Sequence, residues 1–90
     1  MKQDILKIGN KMELVQEIRA NKDEAPPRYT SQLLDILEDN YIRAAMPSYQ
    51  GRIIPLEVGT VYHTFFYTEK GLYRCKCEVT DRYRDQQFFY

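Results

Sequence analysis

Thr60-Val61-Tyr62-His63-Thr64-Phe65-Phe66-Tyr67-Thr68-Glu69-Lys70-Gly71-Leu72-Tyr73-Arg74-Cys75-Lys76-Cys77-Glu78-Val79-Thr80-Asp81-Arg82-Tyr83-Arg84 is the stretch that decides the fold. Residues 60–68 are β-branched or aromatic almost throughout, the composition that suits a pleated, half-buried strand. Residues 72–84 alternate: Tyr73, Cys75, Cys77 and Val79 share one face, and Leu72, Arg74, Lys76 and Glu78 share the other. Glu69-Lys70-Gly71 between them reads as a short turn, so the whole is predicted to be a long β-hairpin. In its first strand Val61, His63, Phe65 and Tyr67 lie on one face and Tyr62 and Phe66 on the other. That strand carries bulk both ways.

Working outward, residues 1–7 read as a polar lead-in, and Gly9-Asn10 as a turn. Residues 11–20 alternate less strictly, with Met12, Leu14 and Ile18 on one parity and Glu13 and Glu17 on the other; this predicts a half-buried strand. Charges and then Pro26-Pro27 mark a loop over 21–27. Residues 28–46 admit two readings. Leu33, Leu34, Ile36, Leu37, Tyr41 and Ala44 recur at helical spacing, but two strands, 28–38 and 41–46, turning at Asp39-Asn40, fit as well. Residues 47–59, with two prolines and two glycines, predict an extended connecting arm. Gln86-Gln87-Phe88-Phe89-Tyr90 begins a new aromatic segment and stops, which leads us to expect a longer protein of which this is the first domain. Several short strands joined by hairpins predict an all-β fold: a small closed or partly open antiparallel barrel of about six strands.

Ninety residues make one domain. Thirteen basic side chains balance thirteen acidic ones, so the electrostatic basis for binding nucleic acid or an anionic membrane surface is lacking. No run approaches the ~20 apolar residues of a membrane span, and Met1-Lys2-Gln3-Asp4 leads into no apolar targeting segment. The expected location is cytoplasmic, with no membrane insertion and no nucleic-acid partner.

Tyr29, Ser31 and Leu33 in a Tyr-x-Ser-x-Leu strand, Met46-Pro47, the Gly-Arg-x-Ile-Pro-Leu of Gly51 to Leu56, Val58-Gly59-Thr60, and Gly71-Leu72-Tyr73 opening a long strand occur in an order and spacing that resembles one family. That family is the PilZ-associated N-terminal domain of YcgR-type flagellar brake proteins. The likeness covers about residues 8–85, placing the domain at 8–90. It implies a β-barrel, and with it strands over 28–46. It also implies a non-enzymatic regulatory role in bacterial motility, with two partners: a C-terminal PilZ domain in the same protein, and flagellar motor proteins of the stator or switch. Cyclic di-GMP would bind that downstream PilZ domain. The family's Arg-x-x-x-Arg is absent here, since Arg82 and Arg84 are two apart, so no cofactor-binding residue carries over to this chain.

The candidate chemistry is sparse, and no catalytic or metal-ligating residue is predicted. His63 is the single histidine and reads as a sheet residue. Cys75 and Cys77 share a strand face and read as small buried hydrophobes, a local disulfide being strained at roughly 6.5–7 Å of strand separation. Asp35, Glu38 and Asp39 read as a solvated turn, and Gly51 and Gly59 as turn glycines. The surplus aromatics Tyr62, Phe66, Tyr67, Tyr83, Phe88 and Phe89 either pack within the barrel or belong to an interdomain or partner surface, which Arg52, Arg74, Arg82, Tyr83 and Arg84 would line. Two other functions fit a small barrel: a small-ligand or flavin-binding split barrel, and a single-strand nucleic-acid binder of OB type.

Overall fold

The structure is a computed structural model that describes residues 5–17, 26–83 and 86–89; for Asp39 and for residues 82, 83 and 86–89 it describes the backbone alone. Among the described residues eight strands follow in order: β1 Lys11–Gln16, β2 Arg28–Ile36, β3 Ile42–Ala45, β4 Ser48–Tyr49, β5 Arg52–Ile53, β6 Val61–Thr68, β7 Gly71–Tyr83 and β8 Gln86–Phe89. A single 3-10 turn, Glu38–Asn40, joins β2 to β3. All pairings are antiparallel.

Six strands form a circuit of ladders: β1–β6–β7–β8–β3–β2 and back to β1. The wall is nevertheless partly open, because two long strands divide themselves between neighbours. β2 gives residues 28–32 to β1 and residues 33–36 to β3, with a bulge between Leu33 and Asp35 where it changes sheet. β7 gives residues 71–78 to β6 and residues 79–83 to β8, bulging between Val79 and Asp81. Along 71–78 no described strand flanks its second edge. The inner-face residues follow this division. Cys77 and Val79 are buried, whereas Tyr73 and Cys75, beside the opening, are only half-buried.

The hairpin of β6 and β7 stands as the alternation predicts, with Thr68 opposite Gly71 across Glu69-Lys70. The Thr68 hydroxyl fastens the turn, donating to the Gly71 carbonyl at 2.7 Å and accepting from the Lys70 amide at 3.2 Å. Residues 28–46 are strands, not a helix. The arm over 47–59 differs from a plain extended connection. It folds into the β4–β5 ribbon, turned by Gln50 and Gly51 at φ 51° and 79°. Two consecutive positive φ values match the twist of a tight hairpin, and Gly51 supplies one at no steric cost. The strand predicted over 11–20 is described as far as Gln16, and Ile18 lies outside the described residues.

The core sits inside the ring. Met12 and Leu14 of β1, Leu33 of β2, Ile42 and Ala44 of β3, Phe66 of β6 and Val79 of β7 are fully buried. Each large aliphatic or aromatic side chain so buried contributes roughly 1.5–3 kcal/mol. Leu6, from the lead-in, and Leu56, from the arm, plug the same cluster. Two polar groups share it. Ser31 donates to the Ala45 carbonyl at 2.6 Å, and Thr64 Oγ1 reaches the Tyr62 carbonyl at 3.5 Å.

Candidate docking face on the outer sheet

With Met12, Leu14, Tyr62, Thr64 and Phe66 turned inward, the opposite parity of each strand faces out. Register then sets the outer side chains of β2, β1, β6 and β7 in rows. One row runs Arg28, Val15, His63, Lys76; the next Thr30, Glu13, Phe65, Arg74; the third Gln32, Lys11, Tyr67, Leu72. Val15, Pro26, Arg28, His63, Phe65 and Arg74 line a shallow concavity of about 370 Å³ among them.

Two carboxylates organise the charges. Glu13 Oε1 accepts from the Tyr67 hydroxyl at 2.6 Å and from Arg28 Nη1 at 3.2 Å, and Glu13 Oε2 lies 4.0 Å from Lys11 Nζ. The bond to Glu13 pushes the Tyr67 phenol above its ordinary value, because ionisation would set two anions together. Glu17 Oε1 lies 3.2 Å from Lys76 Nζ and 3.3 Å from His63 Nε2. Arg28 also covers Phe65, its guanidinium carbon 4.9 Å from the ring centroid, and Lys11 Nζ sits 5.2 Å from the Tyr67 ring. Arg74, directly across from Phe65, is exposed and makes no ion pair among the described residues.

This is the chemistry of a contact surface. Phe65 and Val15 offer a flat apolar floor, and Arg74 offers a guanidinium fork to an incoming carboxylate or carbonyl. His63 belongs to a surface triangle with Glu17 and Lys76.

The structure distributes the five predicted surface residues widely. Arg74 lies in the face just described. Arg52 is exposed on β5, separated from β7 in the strand order by β4, β2, β1 and β6. Arg82 and Tyr83 continue the β7 backbone opposite Gln87 and Gln86, their side chains outside the described set, and Arg84 lies outside the described residues. Of the surplus aromatics, Tyr62 and Phe66 pack in the core and Tyr67 faces out. The side chains of Phe88 and Phe89 are not among those described. Val15, Arg28 and Phe65 were not singled out by the sequence. Parity puts Phe65 beside His63, but the register that brings Val15 and Arg28 to it is a long-range property.

Asp35 Oδ1 accepts from the Ile36 amide at 2.9 Å and Oδ2 lies 3.6 Å from Arg43, so this carboxylate is committed to its own turn. Cys75 and Cys77 are both free thiols on the inner face of β7, their sulfurs 3.4 Å apart. The shared hydrogen bond, aided by burial, pushes the Cys75 thiol up. The same bond, with the Thr64 hydroxyl, holds Cys77 below the ordinary thiol value. Tyr62 is pushed up to about 12, chiefly by burial, with Tyr29 and Glu57 adding to it.

The chain is a partly open antiparallel barrel with a mixed aromatic and arginine outer face and a core filled by side chains. A family model described as flagellar protein YcgR matches residues 7–89, and the chain belongs to that family, as its N-terminal domain. It is thus a flagellum-related regulatory domain. No curated protein and no solved structure matches the chain. No helix among the described residues is long and apolar enough to cross a membrane.

Proposed function

We propose that this barrel is the interaction-bearing domain of a cyclic di-GMP-responsive flagellar brake protein. Cyclic di-GMP binds a PilZ domain downstream in the same protein, and the barrel answers by changing how it sits against that domain. The movement exposes or hides a surface that engages the flagellar motor in the cytoplasm. What supports the reading is the family membership together with one observation: Arg74 and Phe65 stand side by side on an open outer face, with Arg74 unpaired among the described residues. A surface that docks a second domain needs this kind of aromatic anchor and unspent donor.

The test is amide NMR of this chain with cyclic di-GMP, first alone and then with the PilZ domain added in trans. The expected result is no shift with nucleotide alone, and nucleotide-dependent shifts at Val15, His63, Phe65 and Arg74 once the PilZ domain is present. R74E is expected to abolish them. Saturable shifts with nucleotide alone would give the barrel its own ligand site and end the proposed division of labour.

A further inference from the structure

Cys75 and Cys77 take no part in the docking face, since they point to the other side of the sheet. Their sulfurs converge to 3.4 Å. Spaced at i and i+2 along a strand, their Cα atoms stand at the upper limit of disulfide geometry, so the pair rests as two thiols. Cys77 is closed off by the core at 1% exposure, while Cys75 is half-buried at the stretch of wall where no described strand flanks the second edge of β7. Cys75 is thus the more exposed of the two residues, at the edge of the core, and Cys77 lies within it.

We propose that Cys75 and Cys77 form a two-thiolate site for a soft monovalent metal ion of the copper(I) class. Soft sulfur donors select soft ions, and coordination number narrows the choice further. Zinc and iron–sulfur centres on thiolates want four protein ligands, or three and an open position. No group of three or more His, Cys, Asp or Glu side chains able to hold a metal occurs among the described residues. Two sulfurs with no third ligand suit an ion content with two. Metal–thiolate bonds of roughly 2.3 Å would hold the sulfurs roughly 3.8–4.6 Å apart, depending on the angle at the metal. The pair therefore spreads by roughly 0.4–1.2 Å from its present 3.4 Å, a change that rotation of the half-buried Cys75 side chain supplies. The step is simple: two S–H bonds break, two protons leave to solvent, two metal–sulfur bonds form, and nothing is oxidised or reduced.

The full chain, fully reduced and under anaerobic conditions, is titrated against bicinchoninate for copper(I). The expected result is one ion taken per chain. C75S is expected to weaken uptake by more than the roughly 10–100-fold typical of changes outside the ligand shell. C77S places a hydroxyl in the core and is checked for folding by circular dichroism. Independently of that variant, silver(I), a redox-inert stand-in, is followed by amide NMR, with shifts expected at Thr64 and Cys75 to Cys77. The proposal falls if the chain takes no copper(I) from the chelator, if C75S takes it as well as the parent, or if the silver shifts centre on the methionines or on His63. None of these outcomes bears on the docking reading, which rests on the opposite face.

Discussion

Replacing Tyr62 by phenylalanine changes the alkaline stability of this domain and little else. The Tyr62 ring is 4% exposed and its phenol is pushed up to about 12 from 10.0. Below pH 10 the phenol is neutral in both the folded and the unfolded chain, and the full contribution is present. Above pH 10 the unfolded chain releases this proton and the folded chain keeps it. The unfolded state then binds fewer protons, so stability falls as pH rises. A shift of about two units at about 1.36 kcal/mol each amounts to roughly 3 kcal/mol, most of it lost by pH 12. In Y62F this loss is absent. The assay is urea unfolding of both proteins at intervals from about pH 9 to pH 12. Differencing the two curves cancels the other tyrosines, including Tyr67, whose phenol is also raised. The expected difference is within about 1 kcal/mol at neutral pH, widening in favour of Y62F through the alkaline range. Curves that stay parallel to pH 12 would refute the claim that burial in the barrel sets this phenol.

Three further outcomes follow from the packing. F66A removes a ring with 0% exposure and costs about 3–5 kcal/mol in denaturant unfolding, whereas F65A, on the outer face of the same strand, costs about 1 kcal/mol; equal losses would contradict the assignment of faces. E13Q removes the charge that Arg28 and Lys11 pair with while keeping an acceptor for the Tyr67 hydroxyl; it costs about 1 kcal/mol in low salt, and the cost shrinks toward zero in molar salt, as thermal melts at two ionic strengths will report. S31A leaves the Ala45 carbonyl without its 2.6 Å bond and costs about 1 kcal/mol, read as a lower denaturant midpoint with an unchanged slope.

The hairpin of β6 and β7 was legible because its alternation runs unbroken for many residues, and nothing in the chain competes with it. Residues 28–46 were not legible from pattern alone, and the reason is physical. β2 bulges at Leu34, so its core-facing residues run Ser31, Leu33 and then Ile36, a step of three after a step of two. A bulge shifts parity, and a shifted parity imitates helical spacing. Only the family resemblance decided for strands. The β4–β5 ribbon was missed because its two-residue strands are too short to alternate; the positive φ of Gln50 left no residue signature, and Gly51 alone was the clue. Of the docking face, Arg74 was named from the sequence as one of several arginines suited to a partner surface. Its neighbours Val15 and Arg28 reach it through two ladders, β1 with β6 and β2 with β1, which join Val15 to His63 across 48 positions and to Arg28 across 13, and no local pattern records them.

The border of β7 along 71–78, which no described strand flanks, has a consequence for solubility. The amide and carbonyl of Val79 are bonded to Thr60 and Gly59, so by alternation those of Leu72, Arg74, Lys76 and Glu78 point away from β6. A row of unsatisfied backbone groups on a sheet border is a template on which another chain can stack, and repeated stacking leads to fibrils. Three of these four residues carry charges, and an incoming copy would have to crowd them against its own. The gap in the wall thus stays wet instead of sticky. Neutral apolar residues at 74, 76 and 78 would leave the fold intact and turn the same border into a nucleus for precipitation.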